Sequence, residues 1–444
     1  MKNIVTIIAL LLAGTVNAQD TLKLSLSETI KHSLSNNKTI QAEELNDQLN
    51  EYKTKELNSA FYPIISANAG ITHYVDVPQQ YVAASALSST APSDQYVRLE
   101  LLLPNSFNVG ISANWTLYNQ GVYSARKILS AQTQLSDIQF EKSKSELAFS
   151  VSQLYYGIVF LQKQQESLFK IDANSDKLID ILQRNYENGT IKRSDLEKAQ
   201  VSKVNVTSQI VGLKTAVETQ IKLLKLMIGI PAYTVLHLTE TDFRESLIPL
   251  STSTSGIETS FDFQLMQIQV KLSELERKSI QASYLPTLAL TYSYSYNTVS
   301  PEFGEVLNSS FSYPMQFVGI NLSVPIFDGN RNLSKLKQNA VKSGQLALQS
   351  QFVSEKIDVE IANALLQYNS NLTTLASNEA NTKLAQKLFD QSILEYQQGT
   401  VFINDVLLAE NSLHQALTAY FNSVSSALVA LLEYKKATNT ILNK

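Results

Sequence analysis

Two long stretches of this chain are almost free of the residues that break helices. Between Gly121 and Gly189, and again between Gly329 and Gly399, there is no proline and only one internal glycine. Proline and glycine are the poorest helix formers, and at 1.5 Å per residue each stretch would form a helix of roughly 100 Å. An all-β domain, or an α/β enzyme built from short helices and strands, needs turn residues at far shorter intervals. Both of those classes are therefore disfavoured.

Apolar residues inside both stretches recur at spacings of three, four and seven positions. They are Val151, Leu154, Ile158, Leu161, Leu168, Ile171, Leu178 and Leu182 in the first stretch, and Ile361, Leu365, Tyr368, Leu372 and Leu375 in the second. This spacing is typical of coiled coils. Polar and charged residues fill the other positions, as expected for helices whose opposite face meets water.

The chain also contains an internal duplication. The segment from Tyr186 to Gln200 aligns with the segment from Tyr396 to Glu410, and the Tyr, Gly, Thr, Asp and one Ala are identical. Two further pairs follow in the same order in both halves, around Val109 and Val318 and around Phe61-Tyr-Pro and Tyr284-Leu-Pro. The first half is longer between Pro63 and Val109.

The duplication predicts the domain organisation. We expect a signal peptide at residues 1–18, a first structural repeat at residues 19–240 and a second at residues 241–444. Each repeat is predicted to contain a helix, two β-strands and a long helical hairpin, and the second opens with a linker between about Leu238 and Gly256, which is rich in Ser and Thr.

Four segments of about ten residues alternate between two faces in the manner of β-strands. They are Ile64 to Tyr74, Phe107 to Trp115, Leu288 to Tyr296 and Val318 to Ile326. A tilted strand of this length crosses a bilayer. Four strands are too few for a closed barrel, which takes at least about eight, so a membrane barrel would require several copies of the chain. The aromatic residues of these strands fit either a membrane barrel or the core of a soluble sheet.

Targeting and composition narrow the function further. Lys2, the apolar run from Ile4 to Ala13 and the small residues ending at Ala18 predict a secretory signal peptide. No later apolar run approaches the ~20 residues of a membrane helix. The net charge is −4 without a basic block, which argues against nucleic acid. The absence of cysteine excludes disulfides and a Cys-linked lipid anchor.

The sequence gives no sign of catalysis. The four histidines, His32, His73, His237 and His414, fall in separate regions, and no phosphate loop, zinc motif or nucleophile elbow is present. We therefore predict no enzyme activity, no catalytic residues, no cofactor and no metal.

These features together resemble the outer-membrane efflux protein family, the TolC-like channels. The resemblance rests on the two Tyr-x-x-Gly-Thr turns, each with an Asp six residues after the Gly, and on the strand-to-helix junctions at Leu117 to Gly121 and Ile326 to Gly329. It implies a homotrimer with a 12-stranded barrel in the outer membrane of a Gram-negative bacterium and a 12-helix coiled-coil barrel in the periplasm. It also implies docking with a periplasmic adaptor and an inner-membrane pump of the RND, ABC or MFS type, in efflux or type I secretion.

The resemblance also assigns roles to residues of the hairpin turns. Gly189-Thr190 and Gly399-Thr400 match the periplasmic tip turns that meet the adaptor. Both glycines are also explained as helix C-caps with positive φ, and the two roles are compatible. Asp405 matches the acid that lines the pore constriction, or it is an acid that caps its helix. Its repeat partner Asp195 is better explained by capping, because Ser194 and Glu197 have capping-box spacing.

Tyr396 matches a tyrosine that locks the closed state, with Asp195 at the partner position; packing within a coiled coil explains it equally well. Val401 replaces an arginine of that lock, and Leu408 replaces a second acid of the constriction. Within the resemblance we therefore expect a single acidic ring and a weaker lock.

One alternative from another class is a periplasmic coiled-coil scaffold without a pore. It leaves the four alternating strands unexplained. An exported hydrolase would need a cluster of polar catalytic residues that the sequence does not contain.

Overall fold

The computed structural model describes residues 21–442 except 88, 89, 91, 93, 241, 242, 244–246 and 251–256. The predicted signal peptide, and part of the predicted linker between Leu238 and Gly256, lie outside the described residues. The described chain is mainly helical.

Seven α-helices and eight β-strands are present in the described part of the chain. The helices are α1 Leu26–Asn36, α2 Lys38–Ser59, α3 Gln120–Glu187, α4 Arg193–Met227, α5 Phe261–Ala282, α6 Arg331–Gln397 and α7 Ile403–Ala437. The strands are β1 Thr21–Leu24, β2 Ile64–His73, β3 Gln79–Ala83, β4 Tyr96–Glu100, β5 Asn105–Tyr118, β6 Val235–Leu238, β7 Thr287–Ser300 and β8 Ser312–Ser323.

The two stretches without breakers form single continuous helices. Helix α3 has 68 residues and α6 has 67, so each is about 100 Å long. Gly157 and Gly344 stay inside these helices. At the junctions before them, a side chain accepts a hydrogen bond from the helix N-terminus: Asn119 from the Gly121 N–H at 2.8 Å and Asp328 from the Asn332 N–H at 2.9 Å.

The chain divides into two compact units. One comprises the residues up to Asn46 together with Gln134–Gln269 and Leu346–Lys444; the other comprises Asp47–Thr133 and Val270–Gln345. Each unit draws segments from both halves of the duplicated sequence.

The second unit contains a four-stranded antiparallel sheet with the order β2-β5-β7-β8. The four predicted strands are all present, but β8 ends at Ser323 and does not reach the predicted end at Ile326. Their register puts Trp115 opposite Leu290 and Leu290 opposite Ile320, so that one face is mostly apolar, although Gln316 of β8 lies on it opposite Tyr294. Much of this face is exposed in the single chain, including Ile65 at 70% and Ile320 at 68%.

The opposite face of the sheet is polar. The Asn68 amide donates to Asn108 at 3.3 Å, the Asn108 amide to Asn297 at 2.5 Å, and the Asn297 amide to Ser295 at 3.2 Å. The Thr291 hydroxyl also donates to another residue of this face, Asn114. None of the four strands contains Asp, Glu, Lys or Arg. The sheet is therefore uncharged and its central strands β5 and β7 are two-sided, whereas β8 also places Met315 and Phe317 opposite Ser295 and Ser293 of the polar face.

Four short strands were not predicted. The long loop of the first half contains the antiparallel hairpin β3-β4, and β1 pairs in parallel with β6. In the first unit, the Tyr155 hydroxyl on α3 holds the end of the β1-β6 pair, since it donates to the Leu24 carbonyl at 3.1 Å and accepts from the Glu240 N–H at 3.1 Å.

Helix α7 carries much of the apolar core of the first unit. Its residues Val424, Leu428 and Leu432 pack in a cluster with Tyr155 and Phe243. By length and composition α7 is also apolar enough to cross a membrane, with 44% of its apolar window buried. Core helices have the same composition, and these contacts explain the apolar character of α7.

Candidate functional site: the hairpin turns of the first unit

The turn between α3 and α4 is a Schellman motif. Gly189 has φ 75°, its N–H donates to the Tyr186 carbonyl at 2.9 Å, and the Thr190 N–H donates to the Asn185 carbonyl at 2.9 Å. The Thr190 hydroxyl donates to the same Asn185 carbonyl at 2.8 Å. The end of α3 is thus closed by both main-chain and side-chain donors.

The turn between α6 and α7 repeats this arrangement bond for bond. Gly399 has φ 76°, its N–H donates to the Tyr396 carbonyl at 3.0 Å, and the Thr400 N–H donates to the Glu395 carbonyl at 3.0 Å. The Thr400 hydroxyl donates to Glu395 at 2.9 Å. The predicted C-cap role of both glycines is confirmed.

Glycine is required at these turns by backbone conformation and not by crowding. A Cβ atom added to Gly189 or Gly399 would meet no atom within 4 Å. The left-handed conformation nevertheless costs any residue with a Cβ atom about 1–2 kcal/mol. Because no atom lies close to either glycine, both turns have free space around them and are open to solvent.

The two hairpins pack together next to their turns. Leu196 of α4 lies in one apolar cluster with Ile403 and Val406 of α7. The Lys198 ammonium donates to the Asn404 side chain at 3.0 Å. The turns at Gly189 and Gly399 consequently lie at the same end of the helical bundle, and that end is the candidate site.

Asp405 lies in the first turn of α7 and is exposed. Its Oδ2 accepts the Phe402 N–H at 3.0 Å, so the carboxylate satisfies one of the free donors at the helix start. It also lines a groove of about 650 Å³ between α6 and α7, together with Glu395 and the exposed Leu408. The capping interpretation of Asp405 is confirmed, and its carboxylate is still accessible from solvent.

The capping-box prediction for Ser194 and Glu197 is wrong. Helix α4 begins at Arg193, its N-cap is Lys192, and no side chain caps it. The Glu197 carboxylate is held by Arg193 at 2.8 Å and does not reach back to the helix start. Asp195, 26% exposed, is instead 3.4 Å from the Lys198 ammonium.

Tyr396 lies near the end of α6, in contact with the apolar cluster between the hairpins. Partial burial raises the pKa of its hydroxyl, a hydrogen bond with the Asn185 side chain lowers it, and the negative charge of Asp195 raises it. Tyr396 and Asp195 are therefore close enough to interact electrostatically. The tyrosine hydroxyl is thus also next to the Asn185 side chain, which the sequence did not single out.

A buried carboxylate on α7, that of Glu410, was also missed. Glu410 is 2% exposed and accepts hydrogen bonds from Ser175 of α3 at 2.6 Å and from Ser202 of α4 at 3.1 Å. His414, one turn further, has its pKa lowered by burial, and the charge of Glu410 partly opposes this shift. The available signal was an acid on the apolar face of α7, between Val406 and Leu413.

At this end of the bundle the polar side chains form hydrogen bonds and charge interactions between the two hairpins. The described residues include no group of three or more His, Asp or Glu side chains that could hold a metal ion. The site brings Asp195, Tyr396 and Asp405 to one end of the bundle beside the two glycine turns.

The sequence matches the model of the family described as outer membrane efflux protein over residues 29–229 and 255–440. The outer membrane efflux protein BepC of Brucella suis biovar 1 (strain 1330) is 20% identical over 441 residues, which cover 97% of this chain and 89% of that protein. The outer membrane protein TolC of Vibrio cholerae serotype O1 is 22% identical over 408 residues, covering 90% of this chain and 89% of that one.

The fold is similar to that of CusC, whose crystal structures concern conformational changes that accompany folding and transmembrane channel formation. The TM-score is 0.73 at 16% identity, and the match covers 93% of this chain and 92% of that one.

Proposed function

The chain belongs to the outer membrane efflux protein family, and from this membership we propose that it is the outer-membrane channel of a tripartite efflux or type I secretion system. In this proposal three copies form a 12-stranded barrel in the outer membrane and a 12-helix barrel in the periplasm. The channel is a passive exit duct and performs no chemistry. The two structural repeats, residues 19–240 and 241–444, would each supply two strands and one hairpin.

The observation that carries the proposal is a charge-free sheet with one mostly apolar, exposed face. Its apolar face is exposed in one chain, with Ile65, Val318, Ile320 and Leu322 each 66–70% accessible. A soluble protein rarely exposes so large an apolar surface, whereas a membrane strand must present one to lipid. Four strands leave the sheet open, and closing it with copies of the same chain would pair both of its edges.

The helices support the periplasmic part of the proposal. At about 100 Å, α3 and α6 are much longer than the ~30 Å hydrocarbon core of a bilayer, so they are suited to extend away from the membrane. We propose that the open turns at Gly189-Thr190 and Gly399-Thr400 dock a periplasmic adaptor, which couples the duct to an inner-membrane pump of the RND, ABC or MFS type.

We further propose that Asp405 lines the pore constriction and that Tyr396 and Asp195 contribute to the closed state. Asp405 is exposed at the bundle end, and three carboxylates around a threefold axis would attract cations. The electrostatic effect of Asp195 on the Tyr396 hydroxyl supports a link between the two hairpins. Because the Asn185 side chain is also next to the Tyr396 hydroxyl, this lock would have three members.

The proposed location is the outer membrane of a Gram-negative bacterium, reached through the signal peptide at residues 1–18 and without a lipid anchor, since the chain has no cysteine. Fractionation of cells expressing the full chain tests this proposal. We expect a heat-modifiable trimer in outer membranes that conducts ions in planar bilayers. Complete recovery in the soluble periplasm would overturn the proposal and favour a coiled-coil scaffold without a pore.

A further inference from the structure

A basic pocket lies next to the end of the sheet where β5 continues into α3. It occupies the space between the start of α3 and helix α5, has a volume of about 780 Å³ and is lined by Tyr118, Arg126, Lys127 and Lys271, among others. A second cavity of about 360 Å³ shares Gln120, Lys127 and Leu275 with it and adds Lys278. Because they share these residues the two cavities adjoin, and together they are called the basic groove of the second unit.

The groove has an unbalanced charge. Four basic side chains line it, and no acidic side chain does. Arg126, Lys127 and Lys278 are exposed, and within the described residues none of these three has a hydrogen-bond or ion-pair partner. Such a groove is suited to an anion, and the fork of donors on Arg126 matches the oxygen atoms of a phosphate group.

The register of the sheet shows on which side the groove opens. After a register shift between Thr116 and Tyr118, Tyr118 is paired with Leu288, and Leu288 is paired with Leu322, so all three belong to the apolar face. Tyr118 also lines the groove. The basic side chains thus lie just beyond the end of the strands, next to the apolar face of the sheet. In the proposed function this face contacts lipid.

Aromatic side chains surround the same end of the sheet. The indole N–H of Trp115 donates to the Phe61 carbonyl at 2.7 Å, and the Phe61 ring lies 5.1 Å from the Tyr123 ring. Trp115, Tyr118, Tyr123 and Tyr284 are each 38–43% exposed. Aromatic belts of this kind mark the level of lipid headgroups in membrane proteins, and basic pockets at that level bind anionic headgroups.

From these observations we propose that the groove between α3 and α5 binds the phosphate-bearing headgroup of an anionic phospholipid in the periplasmic leaflet. Arg126, Lys127 and Lys278 would contact the phosphate, and the acyl chains would lie along the apolar face above Tyr118. The inference rests on the proposed placement of the sheet in the outer membrane. It adds a specific lipid ligand to a membrane contact that would otherwise be purely apolar.

Trp115 provides the readout, because it is the only tryptophan of the chain and belongs to the aromatic belt. The full-length protein is reconstituted in vesicles that all contain the same mixture of phosphatidylglycerol and phosphatidylethanolamine. In one set the phosphatidylglycerol has brominated acyl chains, and in the other set the phosphatidylethanolamine does. Bromine quenches tryptophan fluorescence at short range. We expect phosphatidylglycerol to be enriched around Trp115 by about fivefold or more.

The triple variant R126Q/K127Q/K278Q should lose this enrichment while brominated phosphatidylethanolamine still quenches Trp115, which shows that the variant has folded and inserted. The control K335Q/K337Q removes two exposed lysines at the start of α6 that line neither cavity, and it should retain the enrichment.

Three results would overturn the inference. Equal quenching by the two lipids in the unmodified protein would overturn the lipid site and leave the channel function intact. Loss of the enrichment on adding inorganic phosphate, but not sodium chloride of the same ionic strength, would identify a site for free phosphate instead. No quenching by either lipid would mean that the sheet does not enter the bilayer, and both proposals would fall.

Discussion

The Ser175 hydroxyl donates a 2.6 Å hydrogen bond to the buried carboxylate of Glu410 and so joins helix α3 to helix α7. A second donor, Ser202, reaches the other carboxylate oxygen from α4 at 3.1 Å. No ion pair with Glu410 is found among the described residues, so these hydroxyls are its main compensation for lost hydration. One side chain therefore couples the second hairpin to both helices of the first.

We predict that Ser175→Ala lowers the free energy of unfolding by about 1–3 kcal/mol, because it leaves a buried carboxylate with one donor fewer. Ser202→Ala should cost less, since its bond is longer and only partly buried. Guanidinium unfolding of the full chain, followed by its helical circular dichroism, measures both.

Ser412→Ala is the matched control for these serine variants. The Ser412 hydroxyl donates to the Leu408 carbonyl of its own helix on an exposed face, and its removal should change stability by no more than about 0.5 kcal/mol. Equal costs for Ser175→Ala and Ser412→Ala would show that the contact with Glu410 contributes nothing.

His414 should make stability depend on pH. Burial lowers the pKa of its imidazole, and the smaller effect of Glu410 opposes this. The unfolded chain then binds the proton more tightly than the folded chain, so the stability from neutral His414 is present above its ordinary pKa near 6.5 and is lost as the pH falls below that value.

The measurement for His414 is the unfolding midpoint between pH 8 and pH 5. His414→Gln should lose less stability than the unmodified protein as the pH decreases. His237→Gln, which changes an exposed histidine of β6, should leave the dependence as it is. If His414→Gln and the unmodified protein respond identically to pH, burial does not set the protonation of His414.

Replacement by alanine should lower stability at the turn glycines Gly189 and Gly399 and raise it at Gly344 inside α6. Gly189→Ala and Gly399→Ala should each destabilise by about 1–2 kcal/mol, because both turns need φ near 75°. Gly344→Ala should stabilise by about 0.5–1 kcal/mol, because it lies inside α6 with no atom within 4 Å of the added Cβ.

Thermal unfolding of the three glycine variants, together with amide hydrogen exchange at Thr190 and Thr400, tests this prediction. The two tip variants should show nearly equal losses because their turns have the same hydrogen bonds. Stabilisation by alanine at either tip would contradict the left-handed conformation of that turn.

The sheet offers a second glycine pair. A Cβ atom on Gly110 of β5 would lie 2.7 Å from the Tyr294 carbonyl oxygen of β7, whereas one on Gly70 of β2 would meet no atom within 4 Å. We expect Gly110→Ala to destabilise the folded protein by about 1–3 kcal/mol through overpacking. The measurement is the temperature at which heating changes the mobility of the protein in gel electrophoresis, which should be lower for this variant. Gly70→Ala is the control, and an equal shift for both would argue against the β5-β7 register.

Elements that depend on local periodicity were predictable from the sequence. The heptads of α3 and α6, the alternation in β7 and the glycine turns each follow from neighbouring residues within one segment. The duplication added independent support, since the turns at Gly189 and Gly399 have the same bonds. For this reason the long helices, the four strands and both C-caps could be predicted.

Features that depend on contacts between distant segments were not predictable. The partners of Glu410, Ser175 and Ser202, lie 235 and 208 positions away in the chain. Strands β1 and β6 pair across a similar separation and have only four residues each. The start of α4 was misplaced because the Arg193 to Glu197 ion pair competes with the capping box, and motif spacing alone does not reveal that competition.

Asp405 has two candidate roles that substitution can separate. Asp405→Asn removes the charge but keeps an oxygen that accepts the Phe402 N–H, whereas Asp405→Ala removes both. If three carboxylates line the constriction, both variants should lose a modest preference for cations over anions, measured as the reversal potential of bilayer-inserted channels in a potassium chloride gradient. Only Asp405→Ala should also lower stability, by about 0.5–2 kcal/mol.

Asp195→Asn is the control for the charge at Asp405, because Asp195 belongs to the corresponding turn of the first repeat but is only 26% exposed and is next to Lys198. It should leave the reversal potential unchanged even if weakening the closed-state lock raises the conductance. Unaltered selectivity in Asp405→Asn would show that this carboxylate serves only to cap α7. Loss of selectivity in Asp195→Asn alone would move the constriction to the first hairpin, where the ion pair with Lys198 would then have to open for conduction.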